Sequence, residues 1–290
     1  MAGEENFPGT LGGGQQKVML VGQRLPQSKK PRPRAFIRQG NLEILAELYS
    51  EQGDNANAIE AMRRALELDR SQPEAFARLA DFLHGEKRHD EACELLAEAR
   101  SRFPETPQLT WRLAYSLSQA KRHDEALAMF ETAASEAESV EPDLLNAQFF
   151  FMYGAAAEQA GNLEKAAELL KKTIALDPSF AEAYNYLGYM WVDAGVNLDE
   201  AGELIRRALE HEPDNAAFID SLGWYYYRKG DYEKALAELL RSAALIQPPD
   251  AIVFDHVGDA YHKLGKTADA LEWWSKALAL EPGDEKIAAK

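Results

Sequence analysis

Two segments carry the residue types that proton-transfer chemistry uses. Lys87-Arg88-His89-Asp90-Glu91-Ala92 recurs as Lys121-Arg122-His123-Asp124-Glu125-Ala126, and a histidine beside an aspartate is a pairing that can orient an imidazole for general-base work. The two copies stand 34 residues apart, which is also the interval at which small residues recur along the chain. The duplication therefore follows the repeat and not a site. Both copies fall at the turn ahead of a second helix, so Asp90 and Asp124 are expected as helix-start residues and the histidines at a packing position.

A third candidate lies near the end of the chain, where Asp255, Asp259 and His262 follow one another at spacings of four and three. On a helix these share one face and could in principle ligate a metal. A catalytic zinc also needs hydrogen-bond partners that orient its ligands, which one helix does not supply. The expectation is an acidic patch, with no metal and no cofactor. No glycine-rich phosphate loop follows a strand pattern, and no nucleophile elbow is present, so the chain reads as a non-enzyme. Cys93, next to an apolar alanine, reads as a small core filler.

The elements that must position these residues emerge from the period. Ala46, Ala80 and Ala114 lie 34 apart, Gly154 follows after 40, and Gly188, Gly223 and Gly258 follow after 34, 35 and 35. A second alanine recurs twelve residues on, at Ala58, Ala92, Ala126, Ala166, Ala235 and Ala270, with Ala201 displaced by one. Within each of the seven units apolar residues recur at three and four, and turns such as Gly53-Asp54, Gly161-Asn162 and Gly230-Asp231 split them in two. Each unit is expected to be a helical hairpin, its small residues placed where the two backbones cross and Pro104, Pro178, Pro213 and Pro282 stopping four of the second helices. Six extra residues around Ser139-Val140-Glu141-Pro142 divide the array into three repeats over 39–140 and four over 141–290. The few residues after Pro282 are expected to leave the last repeat under-capped, with Trp273 and Trp274 exposed there.

Composition bounds the partners. The 290 residues include 32 lysines and arginines against 48 aspartates and glutamates, for a net charge of −16, which opposes nucleic acid and anionic lipid. Residues 1–38 hold six glycines, four prolines and the run Lys29-Lys30-Pro31-Arg32-Pro33-Arg34. They are expected to form a disordered basic tail on an acidic body. No stretch approaches the roughly 18 consecutive apolar residues of a membrane span, and the short Val18 to Val21 run is no signal-peptide core. A lone cysteine leaves the redox compartment undetermined.

These residues and their spacing resemble the tetratricopeptide repeat, a motif of 34 residues with small, aromatic and proline signposts at these places. The resemblance covers 39–282 and is strongest from Ala181 to Asn215 and on through Ser221-Leu222-Gly223-Trp224-Tyr225-Tyr226-Tyr227. It implies an all-α solenoid, a right-handed superhelix of helical hairpins. The segment from Tyr184 to Ala201 also looks like a subgroup of bacterial repeat proteins, many exported or lipid-anchored, although the lipid-attachment cysteine and signal of such proteins are absent here. By default the chain reads as cytoplasmic, and as an envelope protein if it is a fragment.

The resemblance further implies that first helices line a concave groove, with ligand-facing positions counted from the small anchor. Those positions hold Glu43, Glu47, Ala77 and Asp81 in the first two units, then Trp111, Tyr115, Phe151 and Ala155. In the last three units they hold Asn185, Tyr189, Asp220, Trp224, Tyr227, Asp255 and Asp259. The lysine, arginine and asparagine set with which some members grip a terminal carboxylate is missing, and the neighbouring carboxylates would repel one. The expected function is a scaffold whose aromatic and acidic groove binds a basic, apolar peptide segment of a partner protein. Three alternatives accompany it: the tail run Lys29 to Arg34 lying in the groove, self-association through the last repeat, and substrate delivery within a larger enzyme or envelope assembly.

Overall fold

The computed structural model describes residues 39–290, so the basic tail and any seat for it in a groove lie outside the described residues. Fifteen helices run through them: α1 Gln39–Glu51, α2 Asn55–Leu68, α3 Pro73–Gly85, α4 His89–Arg102, α5 Pro107–Gln119, α6 His123–Val140, α7 Ala147–Gln159, α8 Leu163–Leu176, α9 Ala181–Ala194, α10 Leu198–His211, α11 Ala216–Lys229, α12 Tyr232–Leu245, α13 Ala251–Lys263, α14 Thr267–Leu280 and α15 Glu285–Ala288. No strand occurs among the described residues. The chain divides into two compact units, one ending at Ala92 and the other beginning at Cys93.

Six successive pairs pack as hairpins, α1 with α2, α5 with α6, α7 with α8, α9 with α10, α11 with α12 and α13 with α14, and the turn inside the pair has a recurring construction. Gly230 closes α11 at a φ of 83°, a left-handed conformation that glycine adopts without a Cβ clash. Asp231 then caps α12, its carboxylate accepting from the Lys234 amide. Asp54 and Asn162 cap α2 and α8 in the same way. In the two His-Asp copies the glycine is replaced by Lys87 and Lys121, which hold φ values of 56° and 60°. The additional residue in the fifth unit puts Asn197 at φ 47° as the helix start, without a side-chain cap.

Close approach of the paired backbones explains the small residues. The anchors Ala46, Ala80 and Ala114 are at most 1 % exposed, and all seven of the second-helix alanines are fully buried. A Cβ on Gly188 would lie 2.7 Å from Ile205 Cγ1 and 2.9 Å from the Ala201 carbonyl oxygen, so anything larger forces α9 and α10 apart. The six residues inserted after the third pair lengthen α6 to 18 residues and then form a 3₁₀ turn, Pro142–Leu144, that buries Leu144.

One expectation is corrected at the last pair. Trp274 is 8 % exposed, not open, because Asp284 starts one further helical turn, α15, that sets Ile287 against Trp274 and Ala277. Trp273 is half-buried with its ring against Phe254 at 5.1 Å. The cap works through register: Asp284 accepts from the amides of Lys286 and Ile287 as Asp250 accepts from those of Ile252 and Val253, so α15 begins as a first helix begins.

Candidate functional site

In the second unit α9 packs on α11 and α11 on α13, which brings the equivalent positions 185, 220 and 255 and their partners 189, 224 and 259 onto consecutive helices. At the centre is a buried histidine–carboxylate pair. Asp220 of α11 and His256 of α13 are each 6 % exposed, and His256 Nδ1 stands 3.1 Å from both carboxylate oxygens. Burial works against a charged imidazole, but the Asp220 carboxylate and, beyond it, Asp255 and Asp259 outweigh that and raise the His256 pKa above its ordinary value. The imidazole also ends an aromatic stack. Trp224 lies parallel to it at 4.1 Å and 12°, and Tyr227 covers the other face of Trp224 at 4.6 Å and 8°. Burial, aided by the charge of Asp259, pushes the Tyr227 phenol up to about 12.

Next to the stack, Asp255 and Asp259 hold a cation. Lys290 Nζ lies 2.8 and 2.7 Å from the two oxygens of Asp255 and 2.6 Å from Asp259 Oδ1. Asp259 also accepts from the indole of Trp274 at 3.1 Å, and the lysine ammonium lies 5.7 Å from that ring. Burial raises the Asp255 pKa, with Lys290 pulling the other way. His262, the third residue of the possible metal set, is exposed and leans on Trp274 with its ring 5.4 Å away.

The structure places the expected ligand-facing residues unequally. Phe151 is 2 % exposed against Phe180 and Tyr186, and Asp220 is spent on His256, so neither offers a surface to a ligand. Ala155 is also buried. Trp111, Tyr115, Tyr189, Trp224, Tyr227, Asp255 and Asp259 are half-buried, and Asn185 is 7 % exposed. In the first unit Glu47 and Asp81 are exposed and Glu43 is half-buried, Glu47 being paired with Arg78.

Among the described residues, five buried side-chain polar atoms have no hydrogen-bond partner. Three of them are Trp111 Nε1, Asn185 Oδ1 and Trp224 Nε1, all at positions expected to face a ligand.

The duplicated His-Asp segments show no shared site. His89 Nδ1 is 3.1 Å from His84 Nδ1, while His123 Nδ1 is buried without a partner. Asp90 and Asp124 fall in the first turns of α4 and α6, and the following glutamates Glu91 and Glu125 pair with Arg88 and Arg122. Cys93 is 3 % exposed within the core. Sequence reasoning missed His256, Trp274 and Lys290 as members of the site. The spacing held one usable signal: 185, 220 and 255 step by 35, and the next step is 290.

Paired helices of this length, alanine and glycine crossings and, in three of the pairs, an Asx-capped turn define a helical-hairpin repeat protein. Tetratricopeptide-repeat models match residues 49–110, 105–179, 151–216 and 194–290, and the chain belongs to that family as a multi-repeat member. Such repeats mediate protein–protein interaction. A tetratricopeptide repeat protein from Parabacteroides merdae matches with a TM-score of 0.72 at 16 % identity, over 87 % of this chain and 96 % of that one. The Cut9–Hcn1 hetero-tetramer of the APC/C matches at 0.62 and 16 %, over 85 % and 47 %. YrrB, described as a tetratricopeptide repeat protein with an unusual peptide-binding site, matches at 0.52 and 22 %, over 71 % and 99 %. No curated protein sequence matches the chain significantly. No helix among the described residues is long and apolar enough to cross a membrane.

Proposed function

We propose that the chain is a non-enzymatic scaffold that binds a peptide segment of a partner protein across α9, α11 and α13. The observation that carries this reading is the set of unpartnered buried polar atoms at ligand-facing positions, above all Asn185 Oδ1 and Trp224 Nε1. A buried polar group left unpaired costs about 1–3 kcal/mol, and a peptide main chain supplies both complements: an N–H for the asparagine oxygen and a carbonyl for the indole. Tyr227, half-buried and held by its stack on Trp224, supplies a rigid aromatic contact for a partner side chain. Asp255 and Asp259 favour a basic one. The likeness to YrrB, whose description names a peptide-binding site, is compatible with this reading at the level of the fold. Self-association through Trp273 and Trp274 has less to offer, since Trp274 is covered by Ile287.

The test is selection of a phage-displayed random peptide library on the full chain, followed by affinity measurement on variants. Trp224→Phe keeps a stacked ring and deletes the N–H, and Asn185→Ala deletes the amide. Selected peptides should carry basic and apolar residues and should lose about tenfold in affinity, roughly one hydrogen bond's worth, in each variant. Peptides that bind both variants as tightly as the unchanged chain place binding elsewhere and overturn the proposal.

A further inference from the structure

We infer that Asp255 and Asp259 form the subsite for a lysine or arginine side chain of the bound partner, and that Lys290 occupies this subsite in cis and competes with it. The inference rests on the peptide-binding reading above and adds to it the residue class recognised and an intramolecular competitor.

The geometry argues for a cation seat and not for a loose acidic patch. The two carboxylates are four residues apart on α13, one turn, and their side chains are only 20 % and 17 % exposed. Two like charges at that spacing and burial repel each other and are poorly solvated, and the raised Asp255 pKa reports the same cost. An ammonium between them relieves both effects, and one is present. Lys290 Nζ meets three carboxylate oxygens at 2.6 to 2.8 Å with the Trp274 indole to one side. The seat thus accepts an alkylammonium of ordinary length with good geometry.

Independent features of the same face ask for a ligand. Trp224 Nε1 lies buried without a partner on the neighbouring helix, and Asn185, 93 % buried by its 7 % exposure, leaves Oδ1 unpaired one helix further on. A peptide that satisfied those atoms would run along positions 185, 224 and 259, and its side chain at the α13 end would arrive at the carboxylate pair. Charge selects its type. The described residues carry a large acidic excess, so a basic side chain is drawn to this face and an acidic one repelled.

Lys290 is suited to yield. It follows a helix of a single turn, held by Ile287 and the Asp284 cap, and a helix of one turn opens at low cost. Its contact therefore acts as a competing equilibrium: if the seat is filled by Lys290 about nine-tenths of the time, the apparent affinity for a competing lysine falls about tenfold.

The experiment measures fluorescence polarisation of two fluorescein-labelled pentapeptides with blocked ends, Ala-Lys-Tyr-Lys-Leu and its counterpart with norleucine in place of both lysines. The full chain is compared with Lys290→Ala, Trp224→Phe and the pair Asp255→Asn with Asp259→Asn, whose folding is checked by circular dichroism. Lys290→Ala is expected to tighten the lysine peptide about tenfold and leave the norleucine peptide unchanged, while the asparagine pair removes the preference for lysine. If binding depends on Trp224 but is indifferent to Lys290, the peptide-binding face stands and the competing seat is overturned. If neither peptide binds any variant, both are overturned. A tightening of both peptides alike in Lys290→Ala also overturns the cation seat, since it would mean simple unblocking of the face.

Discussion

His256 Nδ1 meets both carboxylate oxygens of Asp220 at 3.1 Å, across 36 residues of sequence and from one first helix to the next. The contact ties α11 to α13 in the interior, beneath the ring of Trp224, which lies parallel to the imidazole. It determines where the aromatic platform sits, because Trp224 can stack only on an imidazole held in place. Asp220 is thus a positioning residue for the stack of Trp224 and Tyr227.

Breaking this pair from one side should be costly. His256→Ala leaves the Asp220 carboxylate buried without a counter-charge, an effect of about 3–5 kcal/mol. Asp220→Leu combined with His256→Leu should cost clearly less than the sum of the two single changes, because no charge is then stranded. Urea unfolding followed by circular dichroism measures all three.

Stability should fall as the pH becomes alkaline. The His256 pKa is higher folded than unfolded, so the contribution of the pair is complete below the unfolded value of about 6.5 and is lost as pH rises through the folded value. Urea midpoints measured upward from pH 6 should decline over that window, and His256→Gln should flatten the decline. A midpoint that rises with pH over the same window would contradict the assignment.

The crossing glycines should resist enlargement. A Cβ on Gly258 would meet Cδ1 and Nε1 of Trp274 on α14, and overpacking of this kind costs about 1–3 kcal/mol. Gly258→Ala should lower the midpoint and shift the tryptophan emission to longer wavelength as Trp274 is displaced from Asp259 and Ile287. Gly40→Ala, where a Cβ meets nothing, is the matched control.

The two lysine turns invite the opposite change. Lys87 and Lys121 hold the left-handed conformation that glycine holds in the other turns, at about 1–2 kcal/mol for a residue with a Cβ. Glycine regains this and gives back roughly 0.4–1 kcal/mol in unfolded-state entropy. Lys87→Gly and Lys121→Gly should each raise stability by a few tenths to about 1 kcal/mol, read as an upward shift in urea midpoint.

The hairpins, their number and the places where their backbones cross were legible from spacing alone. Ala46 through Gly258 recur at a nearly constant interval because each marks a contact inside its own unit, between helices about twelve residues apart in the chain, and such a contact leaves its steric demand in the local sequence. The turn glycines and their Asx caps were legible for the same reason. The burial of the residues at the expected ligand-facing positions was not legible. The spacing grouped Asp220 with Asp255 and Phe151 with Trp224, although one of each pair is buried and the other half-exposed.

That difference is settled between units. Whether a carboxylate at the common position meets an imidazole or an ammonium depends on which residue the next repeat sets against it, His256 for Asp220 and Lys290 for Asp255, a pairing that no periodicity encodes. The arrangement of Asp220 on His256, Trp224 between His256 and Tyr227, and Lys290 on Asp255 and Asp259 therefore arises from packing between neighbouring repeats. Spacing within a repeat specifies the hairpin, because its contacts are short-range; the stacking of hairpins chooses which polar groups pair, because burial and a partner's charge act together only once the helices are side by side.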